Sequence, residues 1–140
     1  MTNVVLQMQE LAGGYGGGQV LNGVTLQLHA AEVLGLIGRN GVGKTTLMRT
    51  LIGVVPAKQG QILLGEIDIT QASPQRRARL GIGYVPQGRE VFTGLTVSEN
   101  LQVGMQFVRE HREFAKEMLD RVLDYFPISV SYTHLRAHET

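Results

Sequence analysis

The chain has 140 residues, which is enough for one domain or for part of one. Its hydrophobic fraction of 43%, charged fraction of 18% and net charge of +1 are ordinary for a globular chain and argue neither for nor against a nucleic-acid or membrane partner. The absence of cysteine excludes a disulfide framework and a thiolate metal site.

No targeting segment is recognisable. No apolar run approaches the roughly 20 residues that span a bilayer. The N-terminus also lacks the basic, apolar and small-residue order of a secretory signal. We therefore expect the chain to stay in the cytoplasm.

The first predicted elements are two strands. Residues 4–10 begin apolar and then alternate, which is typical of an edge or half-buried strand. Residues 20–28 alternate again, with their branched apolar side chains on one face. Between them, a glycine-rich loop at residues 13–18 surrounds a single aromatic residue, Tyr15. The two segments predict an antiparallel subdomain.

A phosphate-binding loop is predicted next. Residues 38–46 fit the pattern G-x-x-x-x-G-K-[ST], after an apolar run at residues 33–37 and before a helical repeat that Gly53 ends. Glycines let the backbone approach an anion closely and turn its N–H groups toward it. Lys44 is predicted to reach the β- and γ-phosphates, and Thr45 to offer its hydroxyl to Mg²⁺.

The whole loop is predicted to bind a nucleotide, and the alternative is a glycine-rich turn with an exposed lysine. The residues are Gly38, Arg39, Asn40, Gly41, Val42, Gly43, Lys44, Thr45 and Thr46.

The next stretch predicts short elements. Residues 61–64 and 67–69 are typical of two strands, after a turn region at 54–60. Ser73 is typical of a helix N-cap and begins a short helix that Gly81 ends. Residues 82–85 then predict a strand, which Pro86 ends before Gln87.

Two amphipathic helices are predicted after this strand. Thr96 and Glu99 form a capping box at the start of the first. Apolar residues then recur every three or four positions, and we interpret the stripe as helix core, with the charges on a solvated face. Its members are Val97, Leu101, Met105, Val108, Phe114, Met118, Val122 and Tyr125.

These motifs, in this order, make the chain resemble the nucleotide-binding domain of ABC transporters from Val4 to about Pro127. The resemblance implies an α/β fold of the P-loop NTPase type with an antiparallel β subdomain. Tyr15 resembles the family's aromatic residue that stacks on adenine, and its alternative is an ordinary surface tyrosine. Gln87 resembles the Q-loop glutamine that touches Mg²⁺ and the attacking water, and its alternative is a polar turn residue.

The resemblance implies ATP and Mg²⁺ as cofactors. It assigns catalysis to Lys44 and Gln87, and metal contact to Thr45 and Gln87. Tyr15 joins the nine P-loop residues in binding the nucleotide.

The P-loop and residues 83–92 resemble, within the family, the group serving branched-chain amino acids, urea and short amides. Val42 and Gln87 favour the urea type, because the branched-chain members usually carry alanine and often glutamate there.

The implied partners are those of an importer. Permease subunits would contact the region from Gln87 to Phe92, and a second ATP-binding subunit would complete a homo- or heterodimer. A periplasmic or extracellular substrate-binding protein would act indirectly, and no nucleic acid is expected. The expected location is the cytoplasmic face of the membrane, as a peripheral subunit.

The chain departs from the family pattern in several places. Ala31 stands where the family usually has glycine, before Glu32. The signature loop (Leu-Ser-Gly-Gly-Gln), the strand ending in Asp-Glu and the switch histidine do not appear. His134 and His138 stand too early, and in the wrong context, to replace that histidine.

The C-terminal residues offer a reason for these absences. Residues 130–140 match the translation of a transposase sequencing adapter, and Ser129 fits the preceding bases. We expect residues 1–128 to be the N-terminal part of the nucleotide-binding domain, truncated in its helical subdomain, and residues 129–140 to be a non-native tail. The alternative is an unusual but genuine C-terminus. The longer protein expected on this basis is here called the full-length parent.

The function expected is that of an ATPase subunit energising an importer for urea, short amides or branched-chain amino acids. One alternative is another P-loop enzyme, a GTPase or kinase, although the guanine-specific Asn-Lys-x-Asp is absent. The other is a non-catalytic nucleotide-binding fragment without the signature loop, the catalytic carboxylate and the switch histidine.

Overall fold

A computed structural model describes residues 3–88, 90–105 and 112–127. These residues belong to two compact units, one ending at Tyr84 and the other beginning at Val85. The predicted tail at residues 129–140, with His134 and His138, lies outside the described residues, as does Val108 of the helical stripe.

The first unit contains one antiparallel sheet and two helices. In chain order these are β1 (Val4–Gly13), β2 (Leu21–His29), α1 (Lys44–Leu51), β3 (Ala57–Leu64), β4 (Ile67–Asp68) and α2 (Pro74–Arg79). The sheet order is β2-β1-β3-β4, so β1 is flanked on both sides. The predicted antiparallel pairing of the first two strands is confirmed, whereas the predicted turn at residues 54–60 is partly wrong because β3 already begins at Ala57.

The core of this unit lies where the sheet meets α1. Met8 and Leu11 of β1, Ile62 of β3 and Leu47 of α1 belong to one buried cluster. Gly60 allows β1 and β3 to approach, because a Cβ at this position would clash with the backbone of Gln9, and its φ of +84° is left-handed. The cluster therefore fixes α1, which carries the predicted lysine, against the sheet.

The two strands predicted from the apolar run at residues 33–37 and from residues 82–85 are not formed in the described part of the chain. Residues 33–37 and 82–85 have no strand assignment, and Val33, Ile37 and Val85 are 96%, 99% and 91% exposed. A buried parallel strand needs hydrogen-bonding neighbours and covered faces. No pairing of either run is present among the described strands, and most of the apolar residues in the two runs are exposed, whereas Ile82 packs partly buried against the core.

The second unit contains α3 (Val97–Met105) and α4 (Arg112–Tyr125). The capping box is confirmed, since Thr96 Oγ1 accepts from the Glu99 backbone N–H at 3.2 Å and the Glu99 carboxylate accepts from the Thr96 backbone N–H at 2.8 Å. The interpretation of the stripe as helix core is wrong for Met118 and Tyr125, which are exposed. An apolar stripe is buried only against another element, and these side chains are not enclosed in this way.

The predicted start of α2 is confirmed. Ser73 lies just before the helix, in extended conformation, and its Oγ accepts from the Arg76 backbone N–H at 3.3 Å. Gly81, with a φ of +97°, follows the end of the helix as predicted.

The turn after β2 shows why a glycine would suit position 31, where this chain has alanine. Ala31 has a φ of +60°, in the left-handed region that favours glycine. The turn is closed by the Glu32 carboxylate, which accepts from the His29 backbone N–H at 2.7 Å, and this bond is the main reason that the pKa of Glu32 lies below its ordinary value. The closed turn holds Ala31 in a conformation that costs an alanine energy.

We expect Ala31→Gly to stabilise the full-length parent by about 0.5–1 kcal/mol, because relief of left-handed strain exceeds the entropy that glycine adds to the unfolded chain. Ala30→Gly is the matched control. Ala30 has no positive φ, so this substitution should only add entropy to the unfolded chain and lower the stability. Thermal unfolding of both variants measures the difference. A lower melting temperature for Ala31→Gly than for Ala30→Gly would contradict the strain argument.

Candidate functional site

The P-loop backbone has the conformation that its glycines predict. Gly41 and Gly43 have φ values of +84° and +104°, both left-handed. A Cβ at Gly43 would also lie 3.2 Å from the Val20 side chain. The two glycines let the chain turn sharply before α1, so their prediction as loop residues is consistent with the geometry.

At the N-terminus of α1, neither a capping side chain nor an acidic residue of the first turn competes with an anion for the backbone N–H groups. Gly43 is its N-cap and makes no side-chain cap hydrogen bond, and the first turn contains no acidic residue. The first backbone bond runs from the Leu47 N–H to the Gly43 carbonyl at 2.8 Å. The preceding N–H groups have no intrahelical acceptor and lie at the positive end of the helix dipole, so this end can bind an anion.

Lys44 places its ammonium over its own loop. Nζ donates to the carbonyls of Gly38 at 2.5 Å and Arg39 at 2.7 Å. An ammonium has three donors, so one remains for a further acceptor. The loop thus presents a cation and backbone N–H groups and no carboxylate, a donor set that fits a polyphosphate.

The neighbouring predicted residues differ in exposure. Arg39, Asn40, Val42 and Thr45 are exposed, and the contact of the Thr45 hydroxyl with a metal ion stays a prediction. Thr46 is buried, and its carbonyl accepts from Thr50 Oγ1 at 2.9 Å. The contact of Thr46 with the nucleotide stays a prediction.

Tyr15 lies near the C-terminal half of α1, in the same unit as the P-loop. It is 49% exposed, and its hydroxyl oxygen accepts from Arg49 Nη1 at 3.1 Å. This hydrogen bond is the main reason that the pKa of Arg49 lies above its ordinary value. Lys58 Nζ donates to the Gly16 carbonyl at 3.1 Å and holds the loop beside the ring. Sequence reasoning missed Arg49, because nothing in the pattern of α1 marks it.

Gln87 lies in the second unit, where it is exposed. Its proximity to Lys44 and Thr45 therefore stays a prediction. The same unit contains Val91 and Phe92, which are exposed apolar residues near Gln87 in the chain.

Asn100 fixes the segment that contains Phe92 and was also missed by the sequence analysis. Its Oδ1 accepts from the Phe92 backbone N–H at 2.9 Å, and its Nδ2 donates to the Phe92 carbonyl at 3.0 Å and to the Thr96 carbonyl at 2.9 Å. One amide side chain thus links the backbone of Phe92 to that of Thr96. An asparagine four residues after a helix cap gives no distinctive sequence signal for this contact.

Two further observations limit the chemistry. Within residues 3–88, 90–105 and 112–127, no group of three acidic, histidine or cysteine residues could hold a metal ion by itself. In those same ranges no helix is both long and apolar enough to cross a bilayer. A magnesium ion would therefore need oxygens of a bound ligand in addition to the Thr45 hydroxyl.

Comparison with known proteins gives consistent matches. A family model described as "ABC transporter" matches residues 21–137. A probable ABC transporter ATP-binding protein from Azorhizobium caulinodans is 42% identical over 126 residues, covering 90% of this chain and 43% of that protein.

Two other relatives carry more specific names. The lipopolysaccharide export system ATP-binding protein LptB of Escherichia coli K12 is 40% identical over 101 residues, covering 72% of this chain and 42% of that protein. The probable branched-chain amino acid transport ATP-binding protein LivF of Archaeoglobus fulgidus is 35% identical over 123 residues, covering 88% of this chain and 51% of that protein.

The fold agrees with a solved structure. An ATP-binding subunit of an ABC transporter superposes with a TM-score of 0.80 and 26% identity, over 92% of this chain and 53% of that chain. This chain spans about half the length of the curated relatives it matches.

Proposed function

Because the chain belongs to the ABC transporter family, we propose that it is the N-terminal part of a subunit that binds and hydrolyses ATP to energise transport. The observation that carries this proposal is the P-loop: the Lys44 ammonium lies over its loop, beside backbone N–H groups that no capping side chain occupies. This arrangement suits a polyphosphate and disfavours a neutral ligand.

The proposed mechanism consists of positioning and charge neutralisation. The loop from Gly38 to Gly43 and the first turn of α1 bind the phosphates, and Lys44 neutralises charge that develops on them. The Thr45 hydroxyl would hold Mg²⁺, which would supply further charge neutralisation. Tyr15 would stack on the adenine, and Gln87 would contact the metal and orient the attacking water, as its resemblance to the Q-loop glutamine implies.

For the transported substrate we propose urea, short amides or branched-chain amino acids. The LivF relative supports the branched-chain group, while the resemblance of Val42 and Gln87 favours urea. Lipopolysaccharide export is the second candidate, because the LptB relative is 40% identical. The neighbouring genes distinguish these proposals. The proposed importer acts with a substrate-binding protein in addition to its permease, so a gene for such a protein would favour import.

Permease subunits are the proposed partners of the region from Gln87 to Phe92. The exposed side chains of Val91 and Phe92 support this proposal, because apolar residues held at a surface suit a protein contact. Asn100 fixes the backbone beside them. A second ATP-binding subunit and, indirectly, a substrate-binding protein complete the proposed assembly at the cytoplasmic face of the membrane.

We also propose that residues 1–128 are an incomplete domain and that residues 129–140 are not native. The exposed apolar residues of 33–37 and 82–85 support this, since a longer protein would cover them. So does the length of the curated relatives, about twice that of this chain. The missing part would carry the signature loop, the catalytic carboxylate and the switch histidine that the family resemblance implies.

Expression of the 140-residue chain beside the full-length parent tests the proposal. We expect the chain alone to be insoluble or partly folded and to show no ATP hydrolysis, while the parent hydrolyses ATP with Mg²⁺. Each large apolar side chain left exposed forfeits about 1.5–3 kcal/mol, against a total stability of about 5–15 kcal/mol.

The matching measurements are thermal unfolding, ATP binding and phosphate release on both proteins. ATP binding without turnover by the chain would support the fragment alternative. A soluble monomer that unfolds cooperatively and hydrolyses ATP, with the activity abolished by Lys44→Ala, would refute both the incompleteness and the need for a missing carboxylate.

A further inference from the structure

One contact of the first unit has no part in the proposed phosphate chemistry. Arg49 stands in the last turn of α1, the helix whose first residue is Lys44. Its guanidinium donates from Nη1 to the hydroxyl oxygen of Tyr15 at 3.1 Å. The same helix therefore carries both the phosphate-binding lysine and the group that holds the aromatic ring.

The backbone of Arg49 is held by two hydrogen bonds. Its backbone carbonyl accepts from the Val54 N–H at 2.9 Å and from the Val55 N–H at 3.1 Å, where the chain leaves the helix. No ion pair of Arg49 with a carboxylate occurs among the described residues, so no carboxylate there competes with Tyr15 for its guanidinium. A fixed backbone and a guanidinium that is not paired with a carboxylate suit Arg49 to hold the Tyr15 hydroxyl.

The loop around Tyr15 does not orient the ring by itself. Its backbone is held by the bond from the Gly18 N–H to the Tyr15 carbonyl at 3.0 Å and by Lys58, which binds the Gly16 carbonyl. Neither bond acts on the Tyr15 side-chain torsions, and the ring is half exposed. The contact with Arg49 is made by the hydroxyl at the far end of the ring, so it acts directly on the ring's orientation.

We propose that Arg49 is a positioning residue that holds the Tyr15 ring ready to stack on a nucleotide base, and so sets affinity for the base but not for the phosphates. This inference rests on the proposed function, in which the P-loop binds ATP. Preorganisation raises affinity because the ring loses less freedom when the base binds. The Tyr84 phenol also contributes to the raised pKa of Arg49, after the larger contribution of Tyr15.

The test compares ATP with inorganic triphosphate, which has the phosphates but no base. Equilibrium binding of both to the full-length parent is measured for the wild type, Arg49→Ala, Tyr15→Phe and the double variant. Arg79→Ala, an exposed arginine on α2, is the matched control. Steady-state hydrolysis of ATP separates KM from kcat in each variant.

We expect Arg49→Ala to weaken ATP binding roughly threefold to tenfold, the usual effect of one hydrogen bond, and to leave triphosphate binding within about twofold. KM for ATP should rise by the same factor while kcat is unchanged. Tyr15→Phe keeps the ring and removes the hydroxyl, so it should weaken ATP binding similarly. Arg49→Ala should then add nothing in the Tyr15→Phe background.

Three results would overturn the inference: unchanged ATP binding in both single variants, equal weakening of ATP and triphosphate, or a further loss in the double variant. If Arg49→Ala does not fold, Tyr15→Phe decides alone, because unchanged ATP binding would exclude a role for the tethered hydroxyl. Failure of the proposed function looks different, since the wild type would then bind neither ligand or Lys44→Ala would leave triphosphate binding unaltered.

Discussion

Replacing Lys44 with alanine in the full-length parent is expected to abolish ATP turnover, with a loss of about 10²-fold or more in kcat, and to leave the fold intact. The ammonium is hydrogen-bonded to the P-loop and is the group proposed to neutralise charge on the phosphates during transfer. Its two hydrogen bonds go to carbonyls of an exposed loop, so their loss should cost little stability. Phosphate release and thermal unfolding of the purified variant measure the two effects.

Lys116→Ala, which removes an exposed lysine of α4, is the control for the loss of one positive charge. It should retain the turnover of the unmodified parent. Equal turnover in Lys44→Ala and Lys116→Ala would remove the P-loop assignment, and with it the proposed function.

Arg77→Ala is expected to cause the largest loss of stability, about 3–5 kcal/mol of unfolding free energy. Arg77 is 3% exposed, and its guanidinium makes four hydrogen bonds to backbone carbonyls, those of Thr50, Leu51, Thr70 and Ala72. Burial lowers the pKa of Arg77 below its ordinary value. Truncation would leave carbonyls at the end of α1 without their donors, and each buried unpaired acceptor costs about 1–3 kcal/mol.

Arg79→Ala is the matched control, because it removes an exposed arginine from the same helix and should change stability by at most about 0.5 kcal/mol. Arg77→Lys should recover only part of the loss, since a single ammonium cannot replace the planar fork that reaches four carbonyls. Denaturant midpoints at constant m-value give the comparison. A difference below about 1 kcal/mol between Arg77→Ala and Arg79→Ala would contradict the role assigned to the buried guanidinium.

The features best predicted from the sequence are those that depend on residues only a few positions apart in the chain. The capping box of Thr96 and Glu99, the N-cap at Ser73 and the glycines of the P-loop depend on short-range geometry, and the structure agrees with each. The resemblance to the ABC family and the α/β fold that it implied are confirmed by the family match and by the solved structure.

Long-range contacts were not predictable in the same way. Arg49 and Tyr15 are 34 positions apart, and Arg77 binds Thr50 across 27 positions, so neither contact leaves a local pattern. The runs at residues 33–37 and 82–85 have the composition of buried strands, but a strand also needs neighbours that pair with it. Their composition predicted buried strands, but the described part of the chain has no strand that pairs with either run.

Lys44 and Arg49 lie on the same helix, so α1 sets the distance between their backbones. The two residues are five positions apart on one helix, so about 7.5 Å of axial rise separates them. A hydrogen-bonded helix does not stretch appreciably, and Arg77 binds the carbonyls at its far end. In the proposed site, the spacing between Lys44 at the phosphate end and Arg49 at the aromatic end is therefore set by the geometry of the α1 helix.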